Sequence, residues 1–329
     1  MSKQPRVWLL LGHRRGDNGQ LVALGEALGV PFETRTIHYN WQARLRMKLS
    51  RIGIGHVTND SRRWLRPPWP DLVIGIGRRS VPVARWIQRE SGGGARIVRL
   101  GHPRAPSRLF DLVITTPQYP VAPAENVLTL PIAMNRFRKP PAAAIDEQAW
   151  LDARPRPHLL LSLGGTAPMW RLDMEALRSA AASLERQAAS DGGTLIVVGS
   201  PRTPTEAWTV VRDAAPACAE VESEVRYAVL LADADAHFVT ADSVSMISEA
   251  VMTGKPVGLI AVEPDARGRR KLAKRDPATT GLRDPRRFWA AVQDRGLAGT
   301  VDEPRSGSVE DPVATAVAAV RGRLRSLFE

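Results

Sequence analysis

The sequence predicts an α/β protein made of two doubly wound domains, each built on a parallel sheet. The chain has 329 residues, whereas single hydrophobic cores stop growing at about 250–300 residues. Short apolar runs alternate with segments of helical periodicity, which is typical of parallel sheets covered by helices. A proline-rich interruption over residues 131–157 separates two such series. We therefore expect one domain on each side of it.

The first series begins with an apolar strand, Val7–Leu11. Residues 18–28 have helical periodicity that ends at Gly29, a residue favoured just after a helix. Residues 71–76 (DLVIGI) are predicted as a strand, and after Asp71 they are apolar throughout, as expected for a strand buried on both faces. Further strands are predicted over 32–38, 96–100 and 112–115, and a helix is predicted over 81–90.

The second series begins at residue 158. Strands are predicted over 158–163, 194–199, 236–240 and 256–262, with helices over 173–189, 206–213 and 243–252. The predicted organisation is a Rossmann-like domain over 1–140, a linker over 141–157, a second Rossmann-like domain over 158–308, and a C-terminal helix over 309–329. The two halves share an architecture without a detectable sequence repeat.

Composition excludes some classes of protein and indicates a cellular compartment. No apolar run approaches the roughly 18–20 residues that span a bilayer, and the stretch at 7–11 is too short for a signal-peptide core. Cys218 is the only cysteine, so an internal disulfide is excluded. These features predict a cytoplasmic protein. No group of His and carboxylate residues has the spacing of metal ligands, so no metal site is predicted.

The formal net charge of +12 admits several partners. Nucleic acid, an anionic membrane surface or a phosphorylated small molecule would each explain it, and so would general basicity without any partner. The sequence contains no zinc-finger spacing, RNP-like aromatic motif or basic zipper. We therefore predict no nucleic-acid partner, and the oligomeric state stays open.

Ligands of open parallel sheets bind at the loops that follow the strands, and two such loops stand out in the first half. The first contains Gly12, His13, Asp17 and Asn18, and its glycines and following helix start would suit an anion. The alternative is a plain turn with Asp17 as the helix N-cap. The second contains Gly77 and the arginines at 78 and 79, which could clamp a phosphate or carboxylate or simply be solvated. Neither loop supplies the third glycine of a dinucleotide fingerprint.

Two loops of the second half suit a nucleotide. Gly164, Gly165 and Thr166 could offer backbone N–H groups and a hydroxyl to a diphosphate, although a tight turn would have the same composition. The other loop leads into a helix and carries Asp242, Ser243, Ser245, Met246 and Glu249. Residues 245 and 249 share one helix face, where a carboxylate could accept both ribose hydroxyls. The alternative for this loop is a core helix that Asp242 caps.

Four segments, in order along the chain, resemble the mitochondrial-fission Elm-type family. The most specific is VTADSVSMISEAVMTGKPV, and the others are GHRRGDNGQLVALGEALG, DLVIGIGRRS and LGHPRAPSRLFDLVITTPQYP. That family resembles GT-B glycosyltransferases, including the cytoplasmic enzyme that adds N-acetylglucosamine to lipid I, and bacterial members have been labelled sugar-nucleotide epimerases. The resemblance implies a GT-B-like fold with two Rossmann-like doubly wound domains facing a cleft.

The resemblance also implies roles for the two halves. The second half would bind a nucleotide sugar as co-substrate, without a further cofactor, through the 164–166 loop, the helix start at 242–246 and the ribose-binding Glu249. The first half would bind the acceptor or its phosphate, through Gly12, Asn18, Gly77, Arg78 and Arg104. Family members commonly have Gly-Lys-Pro-Gly-His in the first loop, where this chain has GHRRG at residues 12–16.

These roles predict a metal-independent glycosyltransferase. A helix N-terminus and basic side chains would stabilise the leaving diphosphate, and a base would deprotonate the acceptor hydroxyl. Asp17 and His13 are the titratable residues of the first loop, and Asp17 is preferred because the first loop departs from the family pattern. The alternatives are a sugar-nucleotide 2-epimerase of the same fold, and a non-catalytic adaptor or binding protein.

The acceptor is expected in the cell envelope, on a lipid or a related carrier. Residues 41–66 combine Trp41, Leu45, Leu49 and Trp64 with seven Lys or Arg and one acid, and this mixture suits an interfacial segment. We therefore predict peripheral association with the anionic inner membrane. The alternative is that the apolar residues pack in the core and the arginines are solvated.

Overall fold

The computed structural model describes residues 4–44, 53–135, 142–165, 167, 169–274 and 283–329. The chain divides into two compact units. The first unit comprises Met1–Arg136, Ala278–Asp284 and Glu310–Glu329, and the second comprises Phe137–Pro277 and Pro285–Val309. Each unit is therefore discontinuous in sequence, which the linear pattern of apolar runs did not predict.

Strands and helices alternate along much of the described chain. The strands are β1 Val7–Leu11, β2 Phe32–Thr36, β3 Leu72–Ile76, β4 Arg96–Leu100, β5 Leu112–Thr115, β6 Val127–Thr129, β7 His158–Leu163, β8 Trp170–Leu172, β9 Thr194–Gly199, β10 Ala219–Val221, β11 Ala236–Thr240, β12 Val257–Ile260 and β13 Val262–Pro264. The helices are α1 Arg15–Ala27, α2 Asn59–Arg62, α3 Ser80–Glu90, α4 Ile145–Asp152, α5 Met174–Ser190, α6 Thr205–Ala214, α7 Tyr227–Asp233, α8 Val244–Val251, α9 Ala266–Lys274, α10 Pro285–Asp294 and α11 Pro312–Arg323.

The first unit is built on a six-stranded parallel sheet with the order β2-β1-β3-β4-β5-β6. Leu72, Val73 and Ile74 of β3 are fully buried. Both faces of this strand are covered, which agrees with its apolar sequence. One buried cluster joins the sheet to α1 and α11, and the other joins it to α3.

The C-terminal helix α11 completes a layer of the first unit. Its Val313, Ala316 and Val320 are buried in the same cluster as Leu21 and Leu24 of α1. In the last turn of α11, Arg321 Nη2 donates a hydrogen bond to the backbone carbonyl of Leu28 over 2.7 Å. Leu28 lies just after α1. The C-terminal helix predicted from the sequence is therefore present. The residues joined by this hydrogen bond are separated by 293 positions in the chain.

The second unit is built on a five-stranded parallel sheet with the order β10-β9-β7-β11-β12, and β8 and β13 form a separate antiparallel pair. Helix α4 lies within the segment that the sequence predicted as a linker. Its Glu147, which is buried, accepts hydrogen bonds from the backbone N–H and the guanidinium of Arg226, at distances of 2.6–2.8 Å. This pairing holds α4 against the second unit.

Both sheets change winding direction beside their first strand. In the first unit the chain goes from β1 outward to β2 and then returns to β3 on the other side. In the second unit it goes from β7 to β9 and β10 and returns to β11. In sheets of this kind, ligands bind at the carboxyl ends of the two strands that flank this switch point. The strand order thus directs attention to the ends of β1 and β3, and of β7 and β11.

Candidate functional site

In the second unit, the loops after β7 and β11 are joined directly to each other. The Gly164 N–H donates to the Thr240 hydroxyl over 2.7 Å, and the Gly165 N–H donates to the Asp242 carboxylate over 2.9 Å. The Thr240 hydroxyl in turn donates to the other carboxylate oxygen of Asp242 over 2.9 Å. The structure therefore brings together the two second-half loops that the sequence selected.

The two glycines allow this close approach. A Cβ atom at position 164 would lie 2.1 Å from an Asp242 oxygen, and one at 165 would lie 2.1 Å from the carbonyl oxygen of Arg202. Both glycine N–H groups are used inside the protein, whereas the sequence-based prediction offered them to a diphosphate. Thr166, the third predicted residue of this loop, lies outside the described residues.

Asp242 joins the two loops from a buried position. Its side chain has 0% exposed surface, so it holds the predicted site together rather than forming part of its surface. Burial raises the pKa of the Asp242 carboxyl, and the hydrogen bonds from Gly165 and Thr240 oppose that rise. The N-cap of α8 is Ser243, whose hydroxyl accepts from the Met246 N–H over 3.4 Å. The alternative prediction that Asp242 caps this helix is therefore wrong.

The start of α8 presents donors at the switch point. The first N–H groups of any helix have no acceptor within the helix, and in α8 these include the N–H groups of Val244 and Ser245. Ser245 and Met246 are half-buried, and Ser243 is 8% exposed. The positive end of the helix dipole adds to the attraction for an anion.

Glu249 lies one turn further along the same face of α8 as Ser245 and is half-buried. Burial raises the pKa of its carboxyl to about 7. No donor among the described residues forms a hydrogen bond with this carboxylate. The nearby phenol of Tyr227 contacts the Ser162 hydroxyl over 3.4 Å, and burial and then the charge of Glu249 raise the pKa of that phenol. The carboxylate is thus available to accept hydrogen bonds from a ligand.

In the first unit, the loop after β1 is closed by an amide side chain. Asn18 Oδ1 accepts from the Gly12 N–H and Asn18 Nδ2 donates to the Gly12 carbonyl, both over 2.9 Å. Helix α1 begins at Arg15 and contains Asp17 in its first turn, so the alternative that Asp17 is its N-cap is wrong. Burial raises the pKa of the half-buried Asp17, and the charges of Arg14, Arg283 and Arg99 oppose that rise. His13 is exposed.

The remaining first-unit candidates lie on the loops after β3 and β4. Gly77 has φ +79° and Arg78 is exposed. Arg104 is half-buried with φ +59°, an uncommon conformation for a residue with a Cβ atom. Its backbone N–H donates to His102 Nδ1 over 2.9 Å. The sequence-based prediction missed a buried residue of the neighbouring strand, Arg99.

Arg99 lies in β4 and is only 2% exposed. Its guanidinium donates to the Gly75 carbonyl at 3.1 Å, the Ser80 hydroxyl at 3.0 Å and the His102 carbonyl at 3.1 Å. The sequence signal was an arginine inside the apolar strand RIVRL. A charged residue at a position that should be buried is unusual, and this contrast could have identified it.

Two tryptophans of the basic aromatic segment are exposed, and its predicted association with a membrane stays a prediction. Trp41 is 68% exposed in a 3₁₀ turn, Trp41–Arg44, and Trp64 is 60% exposed. Trp69, which follows the segment, packs against Trp8 and Trp86. Leu45, Arg46, Lys48, Leu49 and Arg51 lie outside the described residues.

Two features are absent from the part of the chain that the structure describes. No helix in it is long and apolar enough to cross a membrane. No group of three or more His, Cys, Asp or Glu side chains in it could hold a metal ion.

Two parallel-sheet units of this topology define a GT-B-like α/β protein. The UDP-N-acetylglucosamine 2-epimerase of Rickettsia bellii has a similar structure, with a TM-score of 0.51, 13% identity, and coverage of 99% of this chain and 96% of that chain. The enzyme of the same name from Methanocaldococcus jannaschii gives a TM-score of 0.51 and 12% identity, over 98% of this chain and 100% of that chain. At these identities the likeness concerns the fold, and it confirms the predicted fold class.

The chain belongs to the mitochondrial fission ELM1 family, whose sequence profile matches residues 15–282. The mitochondrial fission protein ELM1 of Arabidopsis thaliana is 28% identical over 241 residues, which are 63% of this chain and 55% of that protein. An uncharacterized protein of Rickettsia prowazekii is 21% identical over 295 residues, which are 76% of this chain and 82% of that protein. The match thus spans little more than half the length of the Arabidopsis relative, and it confirms the predicted family.

The Thr240 hydroxyl forms a hydrogen-bonded bridge between the two second-unit loops, to the Gly164 N–H and to Asp242. This bridge can be tested with Thr240→Val, which keeps the side-chain shape and removes the hydroxyl. The Gly164 N–H and one Asp242 oxygen would then lose a partner in a buried place. We expect the free energy of unfolding to fall by about 1–3 kcal/mol, the cost of buried unpaired polar groups. Chemical denaturation measures this change. Thr209→Val, at an exposed position on α6, is the control, and equal stability of the two variants would contradict the bridge.

The burial of Glu249 predicts a pH-dependent stability. The ordinary pKa of 4.5 applies to the unfolded chain, and the folded value is about 7. Between these values the folded state binds the proton more tightly, so this contribution to stability is complete below 4.5 and is lost as the pH rises to about 7. At about 1.4 kcal/mol per pKa unit, the loss amounts to at most about 3.5 kcal/mol.

Glu249→Gln cannot ionise and should not show this loss. Its stability relative to the wild type should therefore increase from about pH 5 to about pH 8, as measured by denaturation at several pH values. Glu206→Gln, on the exposed face of α6, should show no such trend. A constant difference between Glu249→Gln and the wild type would mean that the carboxyl has an ordinary pKa.

Proposed function

We propose that this protein is a glycosyltransferase whose second unit binds the nucleotide-sugar donor. The observation that carries the proposal is Glu249. It is a half-buried carboxylate with a raised pKa and without a hydrogen-bond donor among the described residues, and it lies on the face of α8 that carries Ser245. A buried acceptor of this kind is costly to leave unpaired, and two adjacent ribose hydroxyls would supply its donors.

The phosphates would bind at the start of α8. The N–H groups of Val244 and Ser245 and the hydroxyls of Ser243 and Ser245 can donate to phosphate oxygens, and the helix dipole favours their charge. Gly164 and Gly165 keep the neighbouring loop close to this point, with no side chain over the helix start. Their role is steric, because their N–H groups already have acceptors.

Stabilisation of the leaving diphosphate would come from fixed positive charge and dipoles. Beside the start of α8, Arg202 places Nη2 at 3.9 Å from Asp242, and 54% of its side chain is exposed. An exposed guanidinium at this place can reach a bound diphosphate. This charge, together with the helix start, supports a mechanism in which the chain's own groups stabilise the leaving group.

The acceptor hydroxyl would be deprotonated by the first unit. Asp17 is the preferred base, because burial raises its pKa and a carboxylate with a raised pKa is a better proton acceptor near neutral pH. His13 is the second candidate, since it is exposed on the same loop. The other predicted residues, Gly12 and Asn18, shape the loop through their paired hydrogen bonds.

A 2-epimerase is the second candidate function, because two solved structures of similar fold bear the name UDP-N-acetylglucosamine 2-epimerase. An epimerase would use the same nucleotide site and need no acceptor. A non-catalytic binding protein would keep the nucleotide site without turnover. These functions differ in their products, so one assay can separate them.

The nucleotide site is tested by calorimetry with UDP and 2′-deoxy-UDP. Wild-type protein should prefer UDP, and Glu249→Ala should weaken UDP binding by about 1.5–3 kcal/mol, the scale of a hydrogen bond to a charged group. The variant should also lose the preference for UDP over the deoxy compound. Glu206→Ala is the matched control. Unchanged UDP affinity in Glu249→Ala would mean that Glu249 does not bind the ribose.

Turnover is tested by incubating UDP-sugars with the protein and with lipid-linked acceptors of the cell envelope. We expect acceptor-dependent release of UDP that persists in EDTA and falls by about 10²–10⁴-fold in Asp17→Asn, the scale of general-base catalysis. Formation of the 2-epimer without UDP release would favour the epimerase. UDP-sugar binding without any product would favour the adaptor.

We also propose that the first unit associates peripherally with an anionic membrane on the cytoplasmic side. Its exposed Trp41 and Trp64 lie in a segment rich in Lys and Arg, and Arg63 and Arg66 are exposed beside Trp64. Aromatic rings favour the lipid interface, and each nearby cation adds about 1 kcal/mol of attraction. This surface would place the first unit next to a lipid-linked acceptor.

Vesicle co-sedimentation tests this association. The protein should bind phosphatidylglycerol vesicles at low salt and release them as salt rises, because the attraction is partly electrostatic. The double variant Trp41→Ser and Trp64→Ser should bind less. Ile145→Ser, which removes a 93% exposed apolar side chain from the second unit, should bind normally. If the wild type does not bind anionic vesicles at low salt, the proposed membrane association is wrong.

A further inference from the structure

Helix α9 carries five cations and no acid in its nine residues, Ala266–Lys274. Arg267, Arg269 and Arg270 are exposed, and Lys271 is half-buried. Positions 267, 270 and 271 are three and four residues apart, so they share one face of the helix. Arg270 donates to a carbonyl of its own helix, and no carboxylate among the described residues pairs with any of these three cations.

Gly268 holds α9 against the neighbouring strand pair. A Cβ atom at position 268 would lie 2.2 Å from the carbonyl oxygen of Met169, just before β8, so glycine permits a close approach here. The Gly268 N–H also donates to Asp265 Oδ1 over 2.6 Å. Gly268 is buried, and Leu272, four residues later, is half-buried. These contacts occupy one face of α9, and they leave the arginines at 267 and 270 exposed on another.

The strand pair beside α9 adds a further positive charge. Arg171 of β8 is exposed and forms an ion pair with Glu263 of β13, and Arg269 reaches the same carboxylate at 3.7 Å. Glu263 is thus shared by two cations. Asp265, between β13 and α9, is the other acid of these elements, and the start of α9 uses its carboxylate. We call the five described cations the basic α9 surface: Arg171, Arg267, Arg269, Arg270 and Lys271.

The arrangement of charges lowers the stability of α9 itself. Like charges three or four residues apart on a helix repel each other, and Arg267 has this relation to both Arg270 and Lys271. Cations near the start of a helix also oppose the positive end of the helix dipole, where acids would stabilise it. A negatively charged surface against α9 would offset both effects.

We propose that the basic α9 surface binds the anionic headgroups of a lipid membrane. A cluster of about four to eight cations on a helix is typical of binding to anionic lipids, which needs no pocket. Proteins that bind single-stranded nucleic acid also present aromatic rings for stacking. The large exposed hydrophobic residues of the described chain are Trp41, Trp64 and Ile145, which lie outside these elements, and Trp170 beside Arg171 is 2% exposed. This surface belongs to the second unit and does not rest on the proposed transferase function.

The test is co-sedimentation of the full-length protein with phosphatidylglycerol vesicles at low salt. The α9 variant, Arg267→Glu with Arg270→Glu, should bind about 25-fold more weakly or worse, because each cation near such a surface contributes about fivefold. A glutamate at 267 suits the helix start and faces Lys271 four residues later. The α9 variant should therefore unfold at the same or a higher temperature than the wild type, which separates lost binding from lost folding. The α5 variant, Arg178→Glu with Arg186→Glu at exposed positions, changes the net charge equally and should bind about as the wild type does.

Equal loss of vesicle binding in the α5 and α9 variants would mean that net charge alone attracts the protein, and it would overturn the proposal. Unchanged vesicle binding in the α9 variant, or no binding by the wild type, would do the same. The variant Trp41→Ser with Trp64→Ser tests the first-unit association separately. Loss of binding in the α9 variant but not in this tryptophan variant would support the second-unit surface and remove the first-unit one. Single-stranded and double-stranded oligonucleotides are titrated in parallel. If the wild type binds them but not vesicles, and the α9 variant does not bind them, the surface binds nucleic acid and the proposal is wrong.

Discussion

The buried carboxylate of Asp242 is the contact on which the second-unit site depends. A carboxylate without solvent must receive hydrogen bonds, and this one receives them from the Gly165 N–H and the Thr240 hydroxyl. The bonds join the ends of two neighbouring strands. They require glycine at 164 and 165, because a Cβ atom there would collide with Asp242 or Arg202. The start of α8, two residues after Asp242, is positioned as a result.

The two units use the same switch-point topology with different chemistry. In the second unit, a buried acid, Asp242, joins the loops after β7 and β11. In the first unit, a buried cation, Arg99, has this role because it donates to the end of β3, the start of α3 and the loop after β4. The same topology is therefore organised by an acid in one unit and by a cation in the other.

Much of the fold could be predicted from local pattern. Strands β1, β4, β5, β7, β9 and β11 begin and end where the apolar runs do, because burial in a parallel sheet imposes such runs. The four loops could be selected because glycine and polar residues follow strands β1, β3, β7 and β11. The positions of Ser245 and Glu249 on one face followed from helical spacing alone. These are all signals that a short window of sequence contains.

Contacts between distant residues could not be predicted in this way. The pairing of α11 with α1, the use of the glycine N–H groups by Thr240 and Asp242, and the burial of Asp242 all join segments far apart in the chain. Arg99 was missed because a strand pattern shows that a position is buried without showing which loops a long side chain can reach. Strand order determines these contacts, and a single sequence does not reveal it.

A crystal structure of the protein with UDP would show whether the second unit binds a nucleotide. We expect both ribose hydroxyls within about 3.2 Å of the Glu249 carboxylate, the range of a hydrogen bond. We also expect phosphate oxygens at the N–H groups of Val244 and Ser245. UDP bound elsewhere, or bound with its ribose away from Glu249, would contradict the claim that the second unit is a nucleotide-sugar site.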